Sequence, residues 1–270
     1  MEISASIVAY KTSKEELLKV STCYLNCKPA GKLYIVDNSP TDTLRGFCDD
    51  KRVEYIHSPS NPGFGAAHNI AIELAIKAGS NYHFIINPDI YFDGDVITPM
   101  ANYMGANKEV GMMMPQVLYP DSSIQYLPKL LPNPFWIFKR KFRFLAGSYE
   151  KFIGKYELRD VPPQVIYNSP ILSGCFSLLR LDVIKELGGF DDRYFMYFED
   201  FDLSRRVHQK YKTVYYPLVS VYHGYEREAN KNTMLFRIFV QSMIFYFNKW
   251  GWAFDRERKE INDHTLAQFK

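Results

Sequence analysis

Short apolar runs separated by amphipathic stretches fill the first hundred residues of the chain. Four runs have the length of buried strands: SASIVAY (4–10), KLYIVD (32–37), VEYIHS (53–58) and YHFIINPD (82–89). Two intervening stretches, 13–25 and 61–79, place apolar residues at helical spacing, with Ser13 as a helix N-cap and Gly79 as a helix end. Strand, helix and strand in this order predict parallel pairs joined by right-handed crossovers. We therefore expect an α/β half over 1–100, with polar residues gathered where strands end.

The alternation of predicted strands and helices is weaker after residue 100. The stretch 110–136 predicts strands and proline-rich turns, and 135–163 is basic, aromatic and aperiodic, which we interpret as an insertion or lid. A regular pattern is found again at 169–190, where a predicted strand is followed by a predicted helix over 181–187. A short helix over 200–210 and a late strand pair over 213–225 complete the pattern. The simplest organisation is a single domain over 1–225 followed by a C-terminal helical extension over 226–270.

Composition excludes several classes of protein. Of the 270 residues, 47% are hydrophobic and 23% charged, which is typical of a globular domain. A formal charge of +3 is too small to indicate a nucleic-acid binder. The four cysteines form no C-x-x-C pair and no dense framework, which favours reduced thiols and a cytoplasmic location. The N-terminus is predicted to be a strand rather than a signal peptide, and no segment has the roughly 18 apolar residues of a spanning helix.

Two segments, 135–144 and 234–254, mix aromatic residues with lysine and arginine. Such a mixture is typical of a segment that lies on a membrane surface. It is equally typical of a helix that faces the core and carries a basic rim. Both interpretations are open at the level of sequence.

Candidate binding residues follow two of the predicted strands. Asp37 ends the second strand, where it can accept hydrogen bonds from a nucleobase or ribose, or cap a turn. Gly63 and Gly65 open the second helix, whose N-terminus favours phosphate. The spacing is not G-x-G-x-x-G, and the absence of G-K-[ST] excludes a P-loop.

A metal site is a further possibility. Asp89 follows a proline at a strand end, where one carboxylate suits Mg²⁺ or Mn²⁺ held mostly by a diphosphate. A simple Pro-Asp turn is the alternative. His223 ends a late strand and is either a structural histidine or a ligand opposite Asp89.

The stretch YFMYFEDFDLSRR (194–206) places three acids among aromatic residues. If a helix begins here, its dipole keeps a carboxylate ionised near the core, where it can act as a general base. We assign this function to Asp200, with Glu199 beside it. Asp202 is expected to pair with Arg205 or Arg206 as part of the helix start.

Together these motifs resemble the inverting glycosyltransferases of family 2 with the GT-A fold, within their rhamnosyltransferase-like branch. The resemblance covers about 4–225. It depends on six stretches in order: IVAY (7–10), IVDNSP (35–40), NPGFGAAHNIAI (61–72), INPDI (86–90), SGCFSLLRLDVIKELGGFDDRYFMYFEDFDLSRRV (173–207) and VYHG (221–224). It implies a mixed, mostly parallel central sheet flanked by helices. The 1–100 half would bind the nucleotide and the 101–225 half the acceptor.

The resemblance also implies functions for single residues. Asp200 would be the catalytic base with Glu199 as its neighbour, and Gly174 would lie near the acceptor. Asp89 would stand at the metal-binding D-x-D position, which has a single acid here, and His223 would complete the metal shell. The nucleotide-sugar pocket would be formed by Tyr10, Asp37, Asn61, Gly63, Gly65, Asn69 and Asp89.

The activity implied is metal-dependent transfer of a hexose, with inversion, to a saccharide hydroxyl during cell-surface polysaccharide synthesis. The cofactor implied for this transfer is a divalent cation, Mn²⁺ or Mg²⁺. The donor expected is dTDP-L-rhamnose, with a UDP-hexose such as UDP-galactose or UDP-glucose as the alternative. A lipid-linked acceptor would bring 135–144 and 234–254 to the inner face of the cell membrane. A non-catalytic nucleotide-sugar binding subunit is an alternative of another class, whereas a nucleotidyltransferase is disfavoured because IVAYKTSKEE (7–16) has no glycine.

Overall fold

The computed structural model of the chain describes residues 1–141, 146–224 and 233–270. Its strands are β1 (Ile3–Ala9), β2 (Leu33–Asp37), β3 (Val53–His57), β4 (Tyr82–Ile86), β5 (Ile90–Tyr91), β6 (Val110–Leu118), β7 (Tyr167–Asn168), β8 (Phe176–Arg180) and β9 (Lys212–His223). Its helices are α1 (Lys14–Leu25), α2 (Phe64–Lys77), α3 (Ile97–Ala106), α4 (Pro134–Lys141), α5 (Ala146–Tyr156), α6 (Leu181–Leu187), α7 (Glu199–His208), α8 (Thr233–Trp250) and α9 (Arg256–Ala267).

The strands form one mixed sheet with helices on both faces. Its order is β3-β2-β1-β4-β8-β6-β9-β5, with β7 paired to β9. β1 to β4 are mutually parallel, β8 runs antiparallel to β4 and β6, and β9 is parallel to β6. α1 and α3 cover one face, while α2, α5, α6 and α7 cover the other. The expected mixed, mostly parallel sheet flanked by helices is confirmed.

Local signals in the first half are confirmed. Ser13 caps α1 by accepting a hydrogen bond from the Glu16 backbone N–H at 3.1 Å. Gly79, just past the end of α2, adopts a φ of +81°, the left-handed conformation that glycine tolerates best. The predicted fourth strand is too long, because β4 ends at Ile86 and the chain then turns around Pro88. The Ile90 N–H closes this turn on the Asn87 carbonyl oxygen at 3.2 Å.

One prediction for the second half is wrong, and the helices in another segment were not predicted. The late strand pair is a single strand, β9, whose pairing with β6 shifts in register from Tyr216 to Ser220. Pro217 lies at this irregularity, and because proline has no N–H it interrupts the ladder without ending the strand. The aperiodic segment 135–163 contains α4 and α5, which pack through Trp136 edge-on to Tyr156 at 5.5 Å between ring centroids. Its function as a lid stays a prediction.

The C-terminal helices pack against α7. Tyr246 and Phe247 of α8 form a small core with Tyr194, Phe198 and Ile137. The division between domain and extension at residue 225 stays a prediction, and residues 225–232 lie outside those described. Among the described residues, no helix combines the length and apolar character needed to cross a bilayer.

A buried ion pair fastens α7 to the start of α9. The Arg205 guanidinium donates two hydrogen bonds to the Asp255 carboxylate, each at 2.7 Å. Both side chains are almost inaccessible, at 2% and 3% exposure. The Trp250 ring lies 4.2 Å from the guanidinium carbon and covers it.

We expect Arg205→Met to destabilise the fold by about 3–5 kcal/mol, because it leaves the Asp255 carboxylate buried without its partner. Urea denaturation measures the change. The control is Lys259→Met, which breaks an exposed pair with Asp263 of 2.6 Å and should cost less than about 1 kcal/mol. Equal losses in the two variants would contradict this account of the pair.

Candidate active site

Asp37 is fully buried at the end of β2. One carboxylate oxygen accepts from the Ser39 backbone N–H at 2.9 Å, and the other accepts from the Tyr55 hydroxyl at 2.7 Å. Burial and this carboxylate raise the pKa of Tyr55, so the phenol remains a donor. Tyr10, half-exposed, follows the end of β1, which pairs with β2. Through these hydrogen bonds Asp37 holds the end of β2 in position. Its contact with a nucleobase stays a prediction. Tyr55 was not predicted from the sequence.

The glycines at the start of α2 make room for another part of the chain. A Cβ on Gly63, whose φ is +103°, would lie 2.3 Å from the Phe195 carbonyl oxygen. A Cβ on Gly65 would lie 2.7 Å from the Phe190 Cβ. The first N–H of the helix, from Phe64, donates to the same Phe195 oxygen at 2.9 Å. The structure thus explains both glycines by protein contacts, and phosphate binding at this loop stays a prediction.

Asn61, before α2, and Asn69, within α2, differ in function. Asn69 clamps the turn after α6: its side-chain oxygen accepts from the Phe190 N–H at 2.9 Å, and its amide donates to the Phe190 oxygen at 2.8 Å. The same amide contacts Asp192 at 2.6 Å. Asn61 adopts a φ of +45° at the turn that precedes α2. Their contact with a nucleotide stays a prediction.

Asp89 and His223, which are far apart in sequence, meet at the edge of the sheet. β5 pairs with β9 so that Ile90 lies opposite His223. The His223 Nε2 is 3.3 Å from the Asp89 Oδ2. The structure thus brings the two predicted metal ligands together.

Gln125 determines which ring nitrogen of His223 carries a proton. Its amide nitrogen donates to the carbonyl oxygens of Leu118 and His223, at 3.2 and 3.0 Å. Its Oε1 must therefore accept from the His223 Nδ1–H, 3.1 Å away. In the neutral ring the Nε2 lone pair then faces the Asp89 carboxylate, an arrangement that suits a cation between them. Within the described ranges no cluster of three or more His, Cys, Asp or Glu side chains forms a complete metal site.

Asp200, on the first turn of α7, faces Gly174. Its Oδ2 accepts from the Gly174 N–H at 3.2 Å, and its Oδ1 accepts from the Phe201 N–H at 2.9 Å. A Cβ on Gly174 would contact the Asp200 Cβ at 3.4 Å. Two left-handed residues, Tyr197 and Phe198, with φ of 70° and 66°, precede the helix and direct its start. The predicted base and the predicted acceptor-site glycine are neighbours.

The two adjacent acids, Glu199 and Asp200, have different electrostatic surroundings. Burial, and secondly the charge of Asp200, raise the pKa of Glu199 well above its ordinary value. Its Oε2 is buried with no hydrogen-bond partner in the described structure. Burial also raises the pKa of Asp200, but the Gly174 and Phe201 amides oppose this shift. Of the two carboxyl groups, Asp200 is therefore the one whose hydrogen bonds favour the ionised form.

Asp202 is a structural residue, as predicted. Its Oδ2 accepts from the Arg206 Nε at 2.8 Å, which confirms the expected partner. Its Oδ1 accepts from the Lys249 Nζ and the Trp250 Nε1, each at 2.8 Å. Asp202 therefore joins α7 to α8 and is not available for chemistry.

One buried lysine was not predicted from the sequence. Lys129 is 4% exposed, and burial lowers its pKa to about 8. The signal in the sequence is a single lysine between apolar residues and prolines in YLPKLLP (126–132). Lysine is almost never fully buried unless it is paired.

Comparison with known proteins decides the family. The family model described as "Glycosyl transferase family 2" matches residues 6–188. The chain belongs to glycosyl transferase family 2. The resemblance inferred from the motifs is confirmed, although Glu199 and Asp200 lie beyond the matched residues.

Relatives of this family 2 glycosyltransferase include two rhamnosyltransferases. The "N-acetylglucosaminyl-diphospho-decaprenol L-rhamnosyltransferase" of Mycobacterium tuberculosis (strain ATCC 25618 / H37Rv) is 26% identical over 210 residues, 70% of this chain and 65% of that protein. "Rhamnosyltransferase WbbL" of Escherichia coli (strain K12) is 27% identical over 184 residues, 65% of this chain and 66% of that protein. The chain thus spans about two thirds of the length of these relatives.

Two solved structures of low identity share the fold. GalNAc-T7, crystallised with UDP, GalNAc and Mn²⁺, is 15% identical with a TM-score of 0.63, over 90% of this chain and 47% of that chain. S. aureus TarS 1-349 is 10% identical with a TM-score of 0.59, over 98% of this chain and 71% of that chain. The fold of this family 2 glycosyltransferase is accordingly GT-A.

Proposed function

We propose that this glycosyltransferase transfers L-rhamnose, with inversion, from dTDP-L-rhamnose to a saccharide hydroxyl in cell-surface glycan synthesis. The observation that carries the proposal is the Asp200 carboxyl group, positioned by the backbone N–H groups of Gly174 and Phe201. The names of the two rhamnosyltransferase relatives support the sugar.

The Asp200 carboxylate performs the proton transfer of the proposed reaction. It takes the proton of the acceptor hydroxyl as that oxygen bonds to the anomeric carbon. The bond from this carbon to the nucleoside diphosphate breaks, and the diphosphate leaves with the electron pair. Attack from the opposite face inverts the sugar configuration. Burial raises the pKa of Glu199 well above its ordinary value, and we therefore assign the base function to Asp200 alone.

Asp89 and His223 are the residues that we propose hold a divalent cation, Mn²⁺ or Mg²⁺. A carboxylate oxygen and an imidazole nitrogen are suitable ligands, and the Nε2 lone pair faces the carboxylate. The cation, when bound, stabilises the negative charge of the leaving diphosphate. The GalNAc-T7 structure, which contains UDP and Mn²⁺, supports a divalent cation in general. We further propose that Tyr10, Asp37 and the loop of Asn61 contact the nucleotide.

A lipid-linked acceptor is proposed because the name of the mycobacterial relative includes a decaprenol carrier. We propose that the chain meets the cytoplasmic face of the membrane through 135–144 and 234–254. Phe135 and Phe254 are 62% and 96% exposed, and Trp252 is 42% exposed.

Charge and placement support one docking surface. α4 contains three basic residues and no acid, and anionic lipid attracts such a helix. Trp136 of α4 and Ala253, between Trp252 and Phe254, line the same cavity of about 340 Å³. The two segments therefore lie on one side of the molecule. Residues 142–144 lie outside those described.

Asp200→Asn is expected to keep donor binding but to lower transfer by about 10²–10⁴-fold, because an amide cannot take the proton. Transfer is measured with dTDP-L-rhamnose, and with UDP-glucose and UDP-galactose as alternative donors. Glu199→Gln, which replaces the neighbouring acid by an amide, should lose much less transfer activity than Asp200→Asn. Near-normal turnover of Asp200→Asn would refute the assignment of the base.

The transfer rate of the wild-type chain should fall as the pH drops through the raised pKa of Asp200, because the carboxylate becomes protonated.

His223→Ala is expected to weaken Mn²⁺ binding by at least about tenfold, since even outer-shell changes at metal sites have effects of this size. Thermal shifts with dTDP across a Mn²⁺ titration measure the change, because a ligand that binds only the folded state stabilises it. The exposed His264→Ala is the control. An unchanged metal requirement in His223→Ala would show that His223 is not a ligand.

Phe135→Ser combined with Phe254→Ser is expected to weaken binding to phosphatidylglycerol vesicles by about tenfold or more, since a buried aromatic side chain contributes roughly 1.5–3 kcal/mol. Co-sedimentation measures binding, and transfer to a water-soluble acceptor should be unaffected. Leu218→Ser is the control, because Leu218 is 55% exposed on β9. Full co-sedimentation of the double variant would count against this surface.

A further inference from the structure

Gln125 is a buried amide that bridges the ends of two neighbouring strands. Its side chain is 3% exposed. Its Nε2 donates to the carbonyl oxygens of Leu118, at the end of β6, and of His223, at the end of β9. These two bonds use both N–H groups of the amide. A reversed amide would place its oxygen against the same two carbonyl oxygens, so the orientation of Gln125 is fixed and its Oε1 faces the His223 ring.

A tight turn after β6 brings Gln125 to this position. The Tyr119 N–H donates to the Ser123 carbonyl oxygen at 2.8 Å. Within the turn, the Asp121 carboxylate accepts from the Ser123 N–H at 2.9 Å and from the Ser123 hydroxyl at 2.6 Å. The Gln125 N–H then donates to the Val117 carbonyl oxygen at 2.8 Å, which fixes the returning chain to β6. The side chain of Gln125 therefore starts from a backbone that hydrogen bonds hold in place.

The proton of the neutral His223 ring can lie on Nδ1 or on Nε2, and the two positions have different consequences. On Nδ1 it is donated to Gln125, and the Nε2 lone pair faces the Asp89 carboxylate at 3.3 Å. On Nε2 it would be donated to Asp89, and the Nδ1 lone pair would face the Gln125 oxygen. This buried oxygen would then lose its donor, which is unfavourable.

The first arrangement suits a cation between Asp89 and His223. Two acceptor atoms that face each other attract a positive charge, and a metal ion needs the lone pair of the ring nitrogen. In the second arrangement the same nitrogen carries a proton and is occupied by its hydrogen bond to the carboxylate. The Gln125 oxygen thus disfavours a direct hydrogen bond between the two proposed ligands.

We propose that Gln125 is a positioning residue of the metal site, which holds His223 in the tautomer whose Nε2 binds a divalent cation together with Asp89. It acts through His223 and does not itself bind the cation. This inference rests on the proposed function of Asp89 and His223 as metal ligands. It adds the turn after β6 to the part of the fold on which metal affinity depends.

Gln125→Met tests metal binding, because methionine has a similar length and offers the ring no carbonyl oxygen. The affinity for Mn²⁺ in the presence of dTDP is expected to fall by about 10–100-fold, the effect typical of losing the hydrogen-bond partner of a metal-binding histidine. Isothermal titration calorimetry measures the affinity, and circular dichroism checks that the variant is folded. Gln209→Met, at an exposed glutamine of α7, is the control and should bind Mn²⁺ like the wild-type chain. Unchanged affinity in folded Gln125→Met would overturn the proposal.

Gln125→Glu separates positioning of the ring from bridging of the strands. A carboxyl group on a side chain of the same length still offers an oxygen to the His223 Nδ1–H, so this variant should retain the Mn²⁺ affinity that Gln125→Met loses. The bridge between β6 and β9 requires two N–H donors, which neither variant has. Equal losses of affinity in the two variants would therefore assign Gln125 to the bridge alone and overturn the proposal.

Nitrogen-15 NMR of the His223 ring tests the tautomer without metal. Spectra are recorded at about pH 9, where an ordinary histidine is neutral, and the His223 signals are those that His223→Ala lacks. The proton is expected on Nδ1 in the wild-type chain and in Gln209→Met, and on Nε2 in Gln125→Met. A wild-type ring with its proton on Nε2 would overturn the proposal, whether or not Gln125→Met folds.

The two measurements also separate this inference from the proposed metal function. If the tautomers are as expected but the wild-type chain binds no Mn²⁺, the proposed metal function fails and the control of the ring by Gln125 stands. If the wild-type chain binds Mn²⁺ and Gln125→Met keeps both the tautomer and the affinity, Gln125 is not a positioning residue.

Discussion

The hydrogen bond from the Gly174 N–H to the Asp200 carboxylate joins the sheet to the helix that carries the proposed base. Gly174 is held in place because β8, which follows it, lies between β4 and β6. Asp200 is held because Asp202 and Arg205 fasten α7 to the C-terminal helices. A carboxylate that must remain ionised while partly buried requires such fixed donors, since burial alone would favour its protonated form. The architecture around the site supplies them.

Elements determined by local signals were predictable from the sequence. β1, α1, β2 and α6 follow from apolar periodicity and caps such as Ser13, because those signals act within a few residues. The single strand β9 was not predictable, because Pro217 usually marks a break and only pairing with β6 shows that the strand continues. α4 and α5 were missed for a related reason: the contact that packs them together, Trp136 against Tyr156, joins residues that are far apart in the sequence.

Types of side chain at the site were easier to predict than their contacts. The acids of α7 were assigned different functions from helix geometry, and Asp202 has the predicted arginine partner. The proximity of Asp89 and His223 required the β5 and β9 pairing, which joins distant parts of the chain. The glycines at the start of α2 give the same sequence signal whether they approach a phosphate or a backbone, and here the backbone of Phe195 is the neighbour. The burial of Lys129 was not predictable, because no motif in the sequence shows that its ammonium turns back onto the Tyr126 and Leu127 carbonyl oxygens.

The segment from Phe190 to Phe198 contacts both halves of the molecule. It packs on Gly63 and Gly65 at the start of α2, and its last two residues are the left-handed pair that precedes the base. Each left-handed residue costs roughly 1–2 kcal/mol, so contacts such as Ser242 with the Met196 carbonyl oxygen are needed to maintain this path. A side chain added at Gly63 or Gly65 would therefore displace the segment that leads into α7. The position of the Asp200 carboxyl group consequently depends on the absence of two side chains at the start of α2, more than 130 residues earlier in the chain.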